Sequence, residues 1–331
     1  MEFASEHPAF HSARQIYQVL VMYYLDGKKQ SEIAVDTGLS VASVNRLIRQ
    51  GKESGMVEIT IKSPWLSAHQ LESDLAALGQ LQHVVVAPNV ARSEDQNLQM
   101  VGAAAAEYLL SRLKDGDVIA ITGGKGVSAL VEALQPTRKY DVQVVPALGC
   151  VQGKHYTDVN HVASEMAARL GGHAWQIHAP LFTDSADERD MLMGISAVEQ
   201  VLDKARNATL AVVGLGSIHS DSSSYYDLNL AARHASASIE TSGARSELLA
   251  WLLDANGQPA PFDANRRLVG LTLPELQRIP FSMAVVAGRD KVDPIRCALH
   301  SQWLKGMVTD ESTAAGVLEL ALSQGAPHGT H

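Results

Sequence analysis

The chain has little of what many function classes need. Aromatic residues make up 5% of its 331 positions, too few for the stacking surfaces on which single-strand nucleic-acid binders rely. Only two cysteines occur, Cys150 and Cys297. They fit no metal-ligand spacing and no disulfide framework, so a reducing cytoplasm is the expected setting. No apolar run approaches the ~18 residues of a membrane-crossing helix, and the opening "MEFASEHPAFHSARQ" has no apolar stretch of the secretory type. Gly-x-Ser-x-Gly, His-Glu-x-x-His and Cys-x-x-Cys are all absent, which removes common nucleophile, zinc-protease and redox signatures. No metal, cofactor or membrane partner is expected.

Positive charge is also short, with 27 Lys and Arg against 36 Asp and Glu and a formal charge of −9. Its distribution is uneven. Residues 1–63 hold seven basic and seven acidic groups and sum to zero, so the remainder carries the whole deficit. Leu39 to Lys52 contains Arg46, Arg49 and Lys52 and no acid. A small module with one acid-free basic helix can meet a polyanion, because phosphate attraction follows the local field.

That stretch lies in "QSEIAVDTGLSVASVNRLIRQ", Gln30 to Gln50. Ile16, Val19, Leu20, Tyr23 and Tyr24 recur at helical spacing and predict a first amphipathic helix over Arg14–Leu25. A second runs from about Gln30 to Thr37. Gly38 supplies a left-handed turn, Ser40 a cap, and Val41–Lys52 a third helix. Ala34 is small where two helices cross, and Ile33, Leu39, Val44 and Leu47 fill the wedge, which is the spacing of a helix-turn-helix. Ser40, Ala42, Ser43, Asn45, Arg46, Arg49 and Lys52 are then the candidate DNA-facing residues. Asn suits adenine, Arg suits guanine or phosphate, and small residues let the helix sit deep. Val57, Ile59 and Ile61 alternate with polar residues and predict a wing strand. A helical hairpin used only for packing is the plainer alternative.

Beyond a connecting helix, Leu66–Leu78, apolar strand-like runs alternate with helices. Strands are expected at His83–Pro88, Asp117–Thr122, Asp141–Leu148, Ala174–Phe182, Thr209–Gly216 and Phe281–Gly288. Helices are expected at Gln96–Leu113, Val127–Leu134, Asn160–Leu170 and Ser196–Arg206. This pattern predicts an α/β fold, a Rossmann-like, doubly wound and mostly parallel sheet covered on both faces. Ligands bind such sheets at the carboxyl ends of the strands. Glycines gather there: Gly123, Gly124 and Gly126 around Lys125, then Gly149 beside Cys150, and Gly214 and Gly216. Backbone N–H groups, a helix N-terminus and Lys125 would suit an anion. Pro180 could form a pocket wall, and Glu247 and Lys291 could contact a ligand, although solvated surface charges are the plainer reading of those two. A glycine cluster alone is as often a tight turn.

The whole chain resembles the SorC-type (SorC/DeoR) sugar-binding bacterial transcriptional regulators. The resemblance rests on "QSEIAVDTGLSVASVNRLIRQGKESGMVEITI", "DVIAITGGKG", "ATLAVVGLG", "SGARSELLAWLLDANGQP" with "RRLVGLTLPELQRIP", and "VAGRDKVDPIRCALHSQWLKGMVTDESTAAGVLEL". It implies an effector domain similar in fold to the ribose-phosphate isomerase and glucosamine-phosphate deaminase group. It also implies binding of a sugar, polyol or sugar phosphate that alters operator binding. By position, Gly123–Gly126 match the phosphate-side loop, Pro180 a wall, Glu247 an acidic hydroxyl ligand and Lys291 the lysine of the final turn. This chain departs from the family in three places. Lys125-Gly126-Val127 stands where a Gly-x-Thr ending is usual, glutamate where aspartate is usual, and Cys150 where a second glycine is common.

The expected organisation is a winged helix-turn-helix over 1–63, a linker and connecting helix over 64–80, and an effector and oligomerisation domain over 81–331. Expected partners are double-stranded operator DNA, the effector, and a second copy in a dimer or tetramer, since one recognition helix reads about one half-site. An isomerase- or deaminase-like enzyme is the main alternative. Asp158, His161, Asp184 and Asp187 lie near strand ends, but they form no catalytic set at a motif-like spacing, and no catalytic residue is assigned. A pure scaffold leaves the glycine loops unexplained.

Overall fold

The computed structural model describes residues 8–57, 65–89, 93–218, 223, 225–229 and 236–325. Chain contacts divide it into two compact units, Met1–Ser63 and Pro64–His331.

The first unit holds α1 (Pro8–Tyr24), α2 (Gln30–Thr37) and α3 (Val41–Glu53). Ile16, Val19 and Leu20 of α1 share one small core with Ile33 and Ala34 of α2 and Val44, Leu47 and Ile48 of α3. Gly38 ends α2 at φ 69°, and the next N–H, of Leu39, donates to the Ala34 carbonyl at 3.0 Å. Ser40 Oγ accepts the Ser43 N–H at 3.1 Å, a cap worth about 1 kcal/mol. Gly51 admits the Leu20 side chain, whose Cδ1 lies 2.5 Å from where a Cβ would stand. The wing expected over Val57–Ile61 falls largely on residues 58–64, outside the described residues.

The second unit begins with α4 (Trp65–Gly79), which packs into the body. Leu75 is fully buried, and Glu72 Oε1 accepts the Val86 N–H at 3.0 Å. There follow β1 (His83–Ala87), α5 (Glu94–Arg112), β2 (Val118–Ile121), α6 (Lys125–Ala133), β3 (Gln143–Pro146), α7 (Val159–Leu170) and β4 (His173–Ala174). Next are α8 (Ala186–Met193), α9 (Ser196–Arg206), β5 (Leu210–Val213), β6 (Leu215–Ser217), α10 (Tyr225–Leu228) and α11 (Ser236–Thr241). The chain continues through β7 (Ser246–Leu248), β8 (Trp251–Leu253), α12 (Leu273–Arg278), β9 (Phe281–Val285), α13 (Val292–Ser301), β10 (Gly306–Asp310) and α14 (Glu311–Gly325).

Seven strands form one parallel sheet in the order β1-β10-β9-β5-β2-β3-β4. Every residue of β5, β9 and β10 is buried, as a parallel sheet covered on both faces requires. A separate antiparallel sheet joins β6, β7 and β8.

The expected elements shift in three places. Ala174–Phe182 is a strand only at its start, β4. Its residues still alternate in burial, but Asn160 Oδ1 accepts the Ile177 N–H at 2.9 Å, and single bridges join Pro180 to Cys150 and Phe182 to Leu268. The run Thr209–Gly216 breaks at Gly214, whose N–H donates to Thr122 Oγ1 at 3.1 Å, so the chain leaves the large sheet and enters the small one. Finally β7, β8 and β10, which the expected strands omit, are present.

Candidate functional site

From β2 the chain proceeds outward through β3 to β4; from β5 it proceeds the other way through β9 and β10. The β2/β5 boundary is therefore the topological switch point, where a crevice opens above the strand ends. A cleft with a cavity volume of about 150 Å³ lies there. Seven expected groups on its surface follow β2, β3 and β5, in the loops there or in the first residues of α6 and β6: Gly123, Gly124, Lys125, Gly126, Gly149, Gly214 and Gly216. Glu247 of β7 and Lys291, in a 3₁₀ turn before α13, join them. Cys150 and Pro180 do not line it. They sit behind Gly149 and Leu181, bridged to each other, and the Cys150 thiol donates to the Ala179 carbonyl at 3.3 Å.

The glycine loop becomes the first turn of α6. Gly124 precedes it at φ 127°, a conformation that disfavours any side chain. A Cβ on Gly126 would overlap the Val285 carbonyl oxygen, because α6 enters directly over the end of β9. The first residues of α6 thus line the cleft, and a helix N-terminus favours electron-rich ligand atoms. Lys125 Nζ stands 5.9 Å from the centre of the Tyr156 ring.

Glu247 forms part of the floor. Its Oε1 accepts the Ala250 N–H at 2.5 Å, and its side chain lies against Gly216 of the paired strand. Ala250 and Leu249 form the two-residue turn between β7 and β8 with φ 59° and 53°, a left-handed pair usually filled by Asn or Gly. Holding non-glycine residues there costs on the order of 1–3 kcal/mol each, and the Glu247 carboxyl clasps the turn. Burial pushes the Glu247 carboxyl up to about 7, against the Ala250 N–H and the Lys291 ammonium, which favour ionisation. An acid raised on folding keeps its proton longer in the native state. Stability is therefore lost as pH rises from about 4.5 to about 7, on the order of 3 kcal/mol. Glu247→Gln should remove that slope, so urea unfolding at pH 5 and pH 8 should show the variant gaining on the native chain at the higher pH. Equal slopes for both proteins would contradict this account.

Six polar residues that line the cleft lie outside the expected set: Glu94, Asp95, Asn97, Thr122, Thr157 and Asp290. Asp310 does not line it but holds the N–H of Gly288, which does. Asn97, in the first turns of α5, lines the cleft with a buried Oδ1 that has no hydrogen-bond partner. Asp310, fully buried at the end of β10, accepts from the Thr313 N–H at 2.9 Å, the Thr313 hydroxyl at 2.6 Å and the Gly288 N–H at 3.2 Å. Burial opposes its ionisation, yet hydrogen bonds from Ser312, Thr313 and the Asn97 side chain hold it below the usual carboxylate range. Asp310-x-x-Thr313 ahead of an apolar run was a readable capping signal. Nothing local to Asn97 pointed to the cleft.

On the first unit, Ala42, Asn45, Arg46, Arg49 and Lys52 of α3 are exposed and Ser43 is half-buried. Arg46 makes no ion pair or hydrogen bond among the described residues, and Arg49 pairs loosely with Glu53 at 3.8 Å. Lys52 lies over the Tyr24 ring at 5.8 Å, and the Ser40 hydroxyl is shared between the cap and the Ser43 hydroxyl. Ala42, Asn45, Arg46 and Arg49 therefore present the open face.

No group of three His, Cys, Asp or Glu side chains gathers at metal-binding distance among the described residues, and none of their helices is long and apolar enough to cross a membrane.

Comparison with known proteins matches residues 63–319 to a family described as "Putative sugar-binding domain" and residues 18–54 to sigma-70 region 4. The transcriptional regulator LsrR of Escherichia coli (strain K12) is 28% identical over 307 residues, covering 92% of this chain and 94% of that protein. LsrR of Klebsiella pneumoniae is 28% identical over 309 residues, covering 92% and 93%. The full-length sorbitol operon regulator SorC from Klebsiella pneumoniae shares the fold with a TM-score of 0.71 at 24% identity, covering 95% of this chain and 100% of that one.

Proposed function

The chain belongs to the SorC-type sugar-binding transcriptional regulators, and from that premise we propose that a sugar-type effector, held in the strand-end cleft, sets its affinity for operator DNA. The enzyme alternative finds no support, since the relatives are transcriptional regulators. The observation that carries the proposal is convergence. Residues scattered from Gly123 to Lys291 meet at one crevice on the β2/β5 switch point, while Ala42, Asn45, Arg46 and Arg49 of α3 keep an open face in another unit of the same chain.

Asn45, Arg46 and Arg49 read base edges and phosphates in this account, and the remaining exposed residues of α3 position them. Residues 1–63 are the output module. Residues 81–331 receive the effector and join copies into a dimer or tetramer, so that two recognition helices reach two half-sites. The protein works in the cytoplasm on a carbohydrate-utilisation operon. The effector changes operator affinity by no more than its own preference between the two arrangements.

Purified protein should retard an operator fragment with an affinity that falls as salt rises. A free sugar, polyol or sugar phosphate from a screened set should change that affinity. At 100 times its dissociation constant, the same compound should add about 2.7 kcal/mol to stability. Lys291→Ala should keep operator retardation while losing the response to that compound. Consumption of a sugar phosphate without specific retardation would defeat the regulator reading.

A further inference from the structure

We infer that Val41 does more than position its neighbours on α3: its methyl groups meet the C5-methyl of a thymine in the major groove of the operator, close to the base that Asn45 takes. The inference rests on α3 being the helix that reads DNA. Of the branched apolar residues of α3, Val44, Leu47 and Ile48 enter the small core and Val41 does not. Val41 is 49% exposed, against 7% or less for the other three. Neither the fold nor the helix calls for valine at that place. Ser40 supplies the cap, and a β-branched residue is a poorer helix former than alanine.

Its place in the helix gives the exposed methyl groups a use. A recognition helix lies in the major groove with its N-terminal residues against base edges, and Val41 is the first residue of α3. The hydroxyls of this leading turn are engaged locally. Those of Ser40 and Ser43 lie 2.9 Å apart and bond each other, while Ser40 Oγ also accepts the Ser43 N–H. Outward the turn offers the side chains of Val41 and Ala42. A polar base edge pressed against them loses water and gains no partner, which is unfavourable. Thymine is the one DNA base with a methyl group on its major-groove edge, and burying that methyl is favourable.

Asn45 limits which thymine this can be. It follows Val41 by one turn on the same side of the helix, is exposed, and makes no side-chain hydrogen bond among the described residues. One turn rises about 5.4 Å, which lies between one and two base-pair steps of about 3.4 Å. An Asn45 amide bonded to adenine N6 and N7 therefore sets Val41 within two base pairs of that adenine. Arg49, a further turn along, is left for phosphate.

The test uses duplexes selected from a random pool by retardation with the full-length protein. Each thymine that they share is replaced singly by deoxyuridine, which keeps every hydrogen-bonding group and removes only the methyl. At one thymine per half-site the replacement should weaken binding about 4-fold, the worth of one buried methyl group. At that position 5-methylcytosine should bind more tightly than cytosine. Val41→Ala should shrink the thymine-to-uracil difference below about 2-fold, since the γ-methyl groups are gone. Arg49→Ala should weaken both duplexes alike and keep their ratio. Specific binding in which no thymine methyl matters, or a difference that survives intact in Val41→Ala, overturns the inference; α3 stays the reading helix if Arg46→Ala still abolishes retardation. A pool that yields no specific duplex overturns the reading of α3 and this inference with it.

Discussion

Arg46→Ala should abolish specific operator retardation while leaving the folded state and the sugar response unchanged. Arg46 is exposed on α3, one helical turn from Ala42 and beside Asn45, and its guanidinium is not tied to any other described residue. Removing it breaks no internal contact, and alanine favours the helix. A bidentate arginine contact to guanine is worth about 1–3 kcal/mol per copy. Two copies in a dimer lose about 2–6 kcal/mol, or roughly 30-fold or more in affinity. Arg49→Ala should lose less and flatten the salt dependence, as a phosphate contact does. Retardation of the Arg46 variant at native affinity would remove α3 as the reading helix.

Gly126→Ala should produce the largest loss of stability. One added methyl would overlap the Val285 carbonyl oxygen, which belongs to the backbone of the sheet and cannot rotate aside. Overpacking a rigid site costs about 1–3 kcal/mol and sometimes more. For a unit of this size the melting temperature should fall by roughly 5–10 °C. The sugar response should go with it, because the first residues of α6, which line the cleft, must shift. Gly38→Ala is the control. It has nothing within 4 Å and a φ of 69°, so it pays only the left-handed backbone cost of about 1 kcal/mol. A Gly126→Ala variant that loses no more stability than Gly38→Ala would show that the close approach to β9 does not govern Gly126.

The helical unit was readable because its determinants are local. Ser40 caps the helix it precedes, Gly38 ends the one it follows, and Val44 and Leu47 recur at helical spacing. The glycine loops at the cleft were readable for a related reason, since strand ends in an α/β sheet have a known polarity and glycines marked them. What escaped depends on partners distant in sequence. Gly214 leaves the large sheet because a hydroxyl from Thr122 receives its N–H. The apolar alternation from Ile177 to Leu181 signals burial, but Asn160 takes a backbone partner that a strand would have used. The turn at Leu249-Ala250 has no glycine or asparagine to announce a hairpin, and its clasp is a carboxylate. Pro180 was expected on the wall and Cys150 at a strand end beside Gly149; neither lines the cleft, and the two are bridged to each other.

The place of β10 in the sheet bears on synthesis. β1, the first strand of the large sheet to be made, pairs with β10, the last of that sheet, and among the described residues β10 alone joins β1 to β9. At about 5–20 residues per second, the ribosome needs on the order of tens of seconds between these two strands. Throughout that interval β1 lacks its neighbour, and Asp310, which anchors Gly288 at the cleft, has not been made. The helix-turn-helix unit leaves the ribosome before the large sheet can close, so under the proposed division of labour every newborn chain passes through a stage that has an output and no input.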